Sequence, residues 1–291
     1  RQFVARPVDE ADPTSPWITG RPRALKSVKK VLGVSDYQAK AGVCTWLNGV
    51  YWVEIVATRP DGNVVVSNIT EGAKREVEYV QAAIEPDLLY PLLRGRDVSR
   101  WQAIPQAYIL MVQDPEKRRG YDESWLSVKY PKTYAYLKHF EAELRDRSGY
   151  RRYFKETDPF YSMFNVGDYT FAPYKVVWPN IASELVCAVV SSYEKKVVIP
   201  QHIVTLVALD SAEEAHFVCA ATNSSPVNFT LQSYSQKGGK SFGTPHVLEN
   251  VRVPRYDQAN PVHRQLAALS QRAHAATAAG NPEEVKEIEA E

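Results

Sequence analysis

The chain has 291 residues, 44% of them hydrophobic and 24% charged, with a net charge of +1. That is room for one large or two smaller globular domains with a real core, and no run of about 18 apolar residues offers a membrane span. Cys44, Cys187 and Cys219 are too few and too widely spaced for a disulfide framework or a Cys-x-x-Cys zinc pattern, which fits buried thiols in a cytoplasmic protein. The opening Arg1-Gln2-Phe3 carries neither a signal-peptide pattern nor a methionine, so a piece of a longer protein is expected.

Residues 1–20 read as proline-rich and irregular. Ala24, Leu25, Val28, Val31 and Leu32 then fall at helical spacing, with Gly33 as the stop. The apolar runs around Pro60-Asp61-Gly62 predict a hairpin from Val50 to Ile69. The stretch Glu85 to Gly95 has a proline near its start, a glycine at its end and leucines at helical spacing, so a helix is expected there. Ala107 to Gln113 follows as a short buried strand, and Tyr130 to Arg147 as an amphipathic helix.

The second half reads mostly as strand: Tyr174 to Asn180, Glu184 to Ser192, Lys195 to Pro200 and His202 to Leu209 are short, apolar and β-branched. Ser211 opens a capping box with Glu214, the start of a helix. Asn260-Pro261 caps a last long helix through Ala279, before an acidic tail. The expected fold class is α+β, with mixed or antiparallel sheets, flanking helices and a C-terminal helix, because the βαβ alternation of a doubly wound sheet is absent.

Charge is unevenly placed. From Arg94 to Lys155 there are fourteen Lys or Arg against eight Asp or Glu, whereas from Asp61 to Leu93 the balance is two against six, and from Tyr256 onward three against six. A basic middle between acidic flanks is either a phosphate footprint or a solvated helical face.

Three motifs suggest catalysis and each fails on context. Asp158-Pro159-Phe160-Tyr161 approaches the Asp/Asn-Pro-Pro-Tyr turn of amino-methyltransferases. It lacks the second proline, the strand before it and any upstream glycine-rich loop for S-adenosylmethionine. Gly239-Lys240-Ser241 has Tyr234 where a P-loop needs glycine. Glu194-Lys195-Lys196 matches half of a metal-nuclease pattern but sits between two strands, where charged turn residues belong. What remains is equipment for nucleic acid. Arg94, Arg96, Arg100, Arg118, Arg119, Arg151 and Arg152 are clustered or paired and lie among tyrosines and tryptophans. Gln236, Lys237, Lys240, Ser241, Thr244 and His246 belong to a glycine-rich loop that suits close approach to a polyanion. Arg96 is expected to pair with Asp97, and Arg100 to meet a phosphate.

At these residues the chain resembles a family. "IEPDLLYPLLRGRDVSRW", "YPKTYAYLKHFEAEL", "PFYSMFNVGDYTFAPYKVVWPNIAS" and "CAATNSSPVNFTLQSYSQKGGKSFGTPHVLENVRVPRYD" are similar, in that order, to the C-terminal specificity region of adenine-N6 DNA methyltransferases. These are the TaqI-like enzymes and the large fused restriction–modification or phage-defence methylases. The likeness spans about residues 35–275. It implies a target-recognition domain over residues 86–255, an N-terminal α+β segment over 1–85 and a C-terminal helix and tail over 256–291. It also implies double-stranded DNA as partner, with an N-terminal methyltransferase domain of the same parent chain supplying S-adenosylmethionine and the catalytic motif. No catalytic residue, cofactor or metal is then expected in this piece. The alternatives are a protein-docking module of a defence complex, or a divergent DNA nuclease or methylase in its own right.

Overall fold

The computed structural model describes residues 3–7, 11–14, 17–72, 74–234 and 243–291. The hairpin forms around Pro60-Asp61-Gly62 as expected: Gly62 takes the left-handed φ of +82° that the turn requires, and the Asp61 carboxylate accepts from the Asn63 amide. Its strands, Trp52–Thr58 and Val64–Asn68, pair antiparallel with a bulge between Ile55 and Ala57. They lie inside a six-stranded sheet whose order is Ile199–Pro200, Leu89–Leu93, Ala107–Leu110, Trp52–Thr58, Val64–Asn68, Gln81–Ile84. All its neighbours are antiparallel except Ile199–Pro200 on Leu89–Leu93. The sheet joins strands on both sides of residue 85, where the resemblance places the start of its recognition domain. Val53, Val66, Ile84, Leu92 and Ile109 form one core with Leu126, Leu137 and Leu144 from the helices that follow and with Phe160 and Tyr161 from the turn after them.

A second sheet has four strands in the order Ala188–Val190, Tyr174–Pro179, Val204–Leu209, Lys40–Ala41. Period-2 alternation divides its central strand between two cores. Val176 and Trp178 pack with helices Ala212–Asn223 and Pro261–Ala278, while Val177 turns towards Leu93, Val98 and Val198 beside the first sheet. The first helix, Pro22–Val31, packs through Leu25 and Val28 with Ile18 and Phe229. With 37% helix and 26% strand, the chain is α+β.

Four local expectations change. Within residues 1–20, read as irregular, Val4–Pro7 and Trp17–Gly20 form an antiparallel pair, a long-range pairing that proline content does not report. Glu85 to Gly95 is not a helix but a 3-10 turn, Pro86–Leu88, leading into the strand Leu89–Leu93. Pro91 inside the stretch would have broken a helix, and pairing with the remote strands Ala107–Leu110 and Ile199–Pro200 overrides the leucine spacing. The helix expected over Tyr130 to Arg147 breaks at Phe140 into Pro131–His139 and Glu141–Arg145. The acidic tail folds: Asn281 caps the helix Pro282–Ala290, and Ile288 is buried. Ser211 and Asn260 cap their helices as the sequence indicates.

Candidate nucleic-acid interface

The strand Leu89–Leu93 ends in the 3-10 turn Gly95–Asp97. There the Asp97 carboxylate accepts from the Arg94 backbone N–H at 2.9 Å, from Arg94 Nε at 3.0 Å and from Nη2 at 3.4 Å. Both side chains are nearly sealed, at 9% and 3% exposure. The expected Arg96–Asp97 pair is thus replaced by Arg94–Asp97. In a 3-10 turn residues three apart face each other while an adjacent residue points away, so Arg96 is left exposed. A Cβ on Gly95 would lie 3.3 Å from Ile203 Cδ1 and 3.8 Å from Pro179 Cβ, which fixes this corner against the end of the second sheet.

The C-terminal root of the glycine-rich loop reaches the same end. Gly243 donates its N–H to Asn180 O at 2.8 Å, and its carbonyl accepts from Trp178 Nε1 at 2.8 Å and Thr205 Oγ1 at 2.7 Å. A Cβ there would stand 2.2 Å from Pro179 O, so only glycine fits. Thr244 is half-buried, and the following turn Pro245–Glu249 is anchored by Val247 and Leu248. His246 is exposed and pairs with Glu249 at 2.8 Å. Gln236, Lys237, Lys240 and Ser241 lie outside the described residues. The turn at His202 borders the same edge, its carbonyl accepting from Asn180 Nδ2. Burial, and after it the nearby positive charge of Lys74, pushes the His202 imidazole below its ordinary pKa. Gly95, the turn at His202 and the loop root at Gly243 thus meet at one end of the second sheet, with exposed Arg96 next in the chain to Gly95.

The other expected arginines lie elsewhere. Arg100 turns towards the C-terminal helix, with Nη1 3.0 Å from Glu289 Oε1 and Nη2 donating to Asn223 O at 3.1 Å; Trp101 Nε1 donates to the same Glu289 oxygen at 2.8 Å. Arg119 bridges Asp158 and Asp122, each at 3.0 Å. Arg118 is exposed with a left-handed φ of +54°. Arg151 pairs with Asp146 at 3.0 Å, and the Arg152 guanidinium lies 5.2 Å from the Tyr153 ring centre.

The catalytic look-alikes resolve into structure. Phe160 and Tyr161 of the Asp-Pro-Phe-Tyr stretch are fully buried, and the Tyr161 hydroxyl donates to Tyr121 O at 2.6 Å. Burial holds that phenol well above its ordinary pKa. Glu194 and Lys195 form a two-residue turn with φ +49° and +66°. Lys196 gives its ammonium to Pro86 O, Asp87 O and Leu89 O at 2.6, 2.8 and 2.7 Å, pinning the small hairpin of Ser192–Tyr193 and Lys196–Val197 to the first sheet. Among the described residues no group of three or more His, Cys, Asp or Glu could hold a metal ion, and no helix is long and apolar enough to cross a membrane.

The charge count by segments passes over the first helix. Pro22–Val31 carries Arg23, Lys26, Lys29 and Lys30 and no acid, and the three lysines are exposed. It also passes over Trp46, which the fold stacks on Tyr153.

No family model matches the chain, and no curated protein matches it. Among solved structures the chain is similar to the type IIL restriction–modification enzyme MmeI, determined in complex with DNA, at a TM-score of 0.49 and 9% identity. The alignment covers 87% of this chain and 31% of that one, so the chain spans about a third of that enzyme's length.

Proposed function

We propose that the chain is a sequence-specific, double-stranded-DNA-binding target-recognition domain of an adenine-N6 DNA methyltransferase from a restriction–modification or phage-defence system. In this reading it is not catalytic by itself. The methyl donor S-adenosylmethionine and the base-holding motif belong to an N-terminal domain of the same parent chain. Extruding an adenine costs a few kcal/mol, and a second domain gripping the duplex offsets that cost at chosen sites.

The observation that supports this reading best is the end of the second sheet. Exposed Arg96 follows Gly95, which packs on Ile203 and Pro179 beside a loop root that Trp178, Thr205 and Asn180 hold rigidly. Recognition residues work best on loops carried by a rigid scaffold, and arginine's planar fork suits both phosphate and guanine edges. Buried Asp97 neutralises Arg94 and leaves Arg96 as the guanidinium that this corner presents to a ligand.

The test is fluorescence anisotropy of the chain on duplex DNA over a range of salt concentrations. Affinity should fall steeply with salt, and Arg96→Ala should flatten the log–log slope by about one. Binding that ignores salt, or no binding to any duplex, rejects the reading in favour of protein docking. Micromolar binding of S-adenosylmethionine by calorimetry would reject the division of labour.

A further inference from the structure

Three aromatic rings from separate stretches meet at the surface. Tyr153 stacks on Phe164 with centroids 4.6 Å apart and on Trp46 at 5.7 Å with a 4° interplanar angle; Trp46 and Phe164 are also 5.7 Å apart. Tyr153 is 49% and Phe164 38% exposed. The rings are held firmly. Phe164 exchanges both backbone hydrogen bonds with Cys44 at 2.9 and 3.0 Å. A Cβ on Gly149 would come within 2.0 Å of the Trp46 ring, so the indole lies directly on that backbone.

Two non-glycine residues beside the rings adopt left-handed backbone, Trp46 at φ +55° and Asn165 at φ +57°. Such conformations cost energy and persist only where the surroundings enforce them. Here they hold apolar rings at the surface, an arrangement that stability alone does not favour. The same patch is cationic. Residues 147–155 contain Arg147, Arg151, Arg152 and Lys155 and no acid. Of these Arg147 is buried, donating to Leu144 O, Thr45 O and Phe160 O, and Arg151 pairs with Asp146. Arg152, over the Tyr153 ring, and exposed Lys155 supply the charge that faces outward.

We propose that Trp46, Tyr153 and Phe164 form a stacking platform for an unpaired nucleobase of the bound DNA, with Arg152 and Lys155 holding the adjoining phosphates. The open side of a near-parallel stack, where Tyr153 is half exposed, suits a planar ring better than a branched side chain, and the cations suit the polyanion that carries the base. The assignment rests on the DNA-binding reading and adds to it an affinity for unstacked bases.

Anisotropy titrations at fixed salt would compare a fully paired duplex with the same duplex carrying one bulged base, for the unaltered chain, Tyr153→Ala and Tyr153→Phe. The unaltered chain should prefer the bulged duplex by about tenfold, the scale of one base–aromatic stack. Tyr153→Ala should abolish that preference while leaving affinity for paired duplex unchanged, and Tyr153→Phe should keep it. Equal weakening on both duplexes by Tyr153→Ala, or no preference in the unaltered chain, overturns the platform while the DNA-binding reading stands. Absence of binding to either duplex overturns both. A dimer in sedimentation that Tyr153→Ala dissociates would assign the patch to self-association and overturn the platform.

Discussion

Lys175 is the least comfortable residue in the fold, and replacing it with methionine should stabilise the protein. It lies in the middle strand of the second sheet at 1% exposure, directly across from Val190 and Ala208. Its face carries Val177, Ala188 and Leu206. Among the described residues its ammonium has one hydrogen bond, to Ala172 O at 2.7 Å, where three donors need partners. Desolvation by burial pulls its pKa from 10.5 down to about 7.

At ~1.4 kcal/mol for each pH unit, that difference corresponds to about 5 kcal/mol of native-state penalty near and below neutrality. Methionine keeps the apolar stem and removes the charge. It leaves Ala172 O without its donor, which costs roughly 1–3 kcal/mol. The expected net gain at pH 6–7 is therefore about 2–4 kcal/mol. Because the folded pKa lies below the unfolded one, the unfolded state binds the extra proton between pH 7 and 10.5. The unaltered protein should gain stability as pH rises through that window, so the advantage of Lys175→Met should shrink. Urea melts of both proteins at pH 6.5, 8 and 9.5 measure this, since their difference cancels the titration of other groups. A destabilised variant, or a difference that does not change with pH, would refute the reasoning.

A matching acid effect is expected from the histidine pair between helices Ala212–Asn223 and Pro261–Ala278. His274 Nδ1 donates to Ser270 O at 2.7 Å while Nε2 accepts from the Val189 N–H at 2.9 Å, an arrangement that requires neutral imidazole. Burial, and secondarily His274, pushes the His216 pKa down to about 4, so stability should fall as pH drops from 6.5 to 4, by roughly 3 kcal/mol at most; a flat pH profile of the melting temperature over that range would count against it. Arg94→Ala leaves the sealed Asp97 carboxylate without its guanidinium and should cost about 3 kcal/mol, whereas Arg96→Ala should melt within about 0.5 kcal/mol of the unaltered chain; equal melting temperatures would reverse the assignment. Arg100→Ala should expose the C-terminal helix to limited proteolysis, since Glu289 then keeps only Trp101. Gly243→Ala drives a methyl group into Pro179 O and should lower the melting temperature by several degrees; an unaffected melt would mean that the loop root yields.

What the sequence shows of the fold is what short-range chemistry decides. Pro60-Asp61-Gly62 makes its turn whatever lies around it, and Ser211 and Asn260 supply oxygens to the first turns of their helices. Glu85 to Gly95 fails for the opposite reason. Leu88, Leu89, Leu92 and Leu93 satisfy helical spacing and are all buried, but the partners that draw Leu89–Leu93 into a strand enter from Ala107–Leu110 and Ile199–Pro200. No local pattern reports those pairings. The tail likewise reads as solvated charge, because Ile288, the residue it buries most deeply, stands between glutamates.

The candidate site divides along the same line. An arginine-rich block is visible in the sequence, yet what each arginine does depends on which carboxylate finds it. Arg94 takes Asp97 through the geometry of a single turn, and Arg100 takes a glutamate 189 residues away. Arg119 takes two carboxylates. At the corner the guanidinium left exposed is that of Arg96, because Arg94 occupies Asp97. The aromatic platform follows the same logic with packing in place of charge. Tyr153 stands among the paired arginines in sequence, but Trp46 and Phe164 look like ordinary core residues, and the approach of Gly149 and Cys44 gathers the three at the surface. Composition supplies cations and rings, and the fold selects among them by neutralising or burying the rest. The strongest functional candidates are thus the polar and aromatic groups whose exposure the surrounding structure maintains against their own preference.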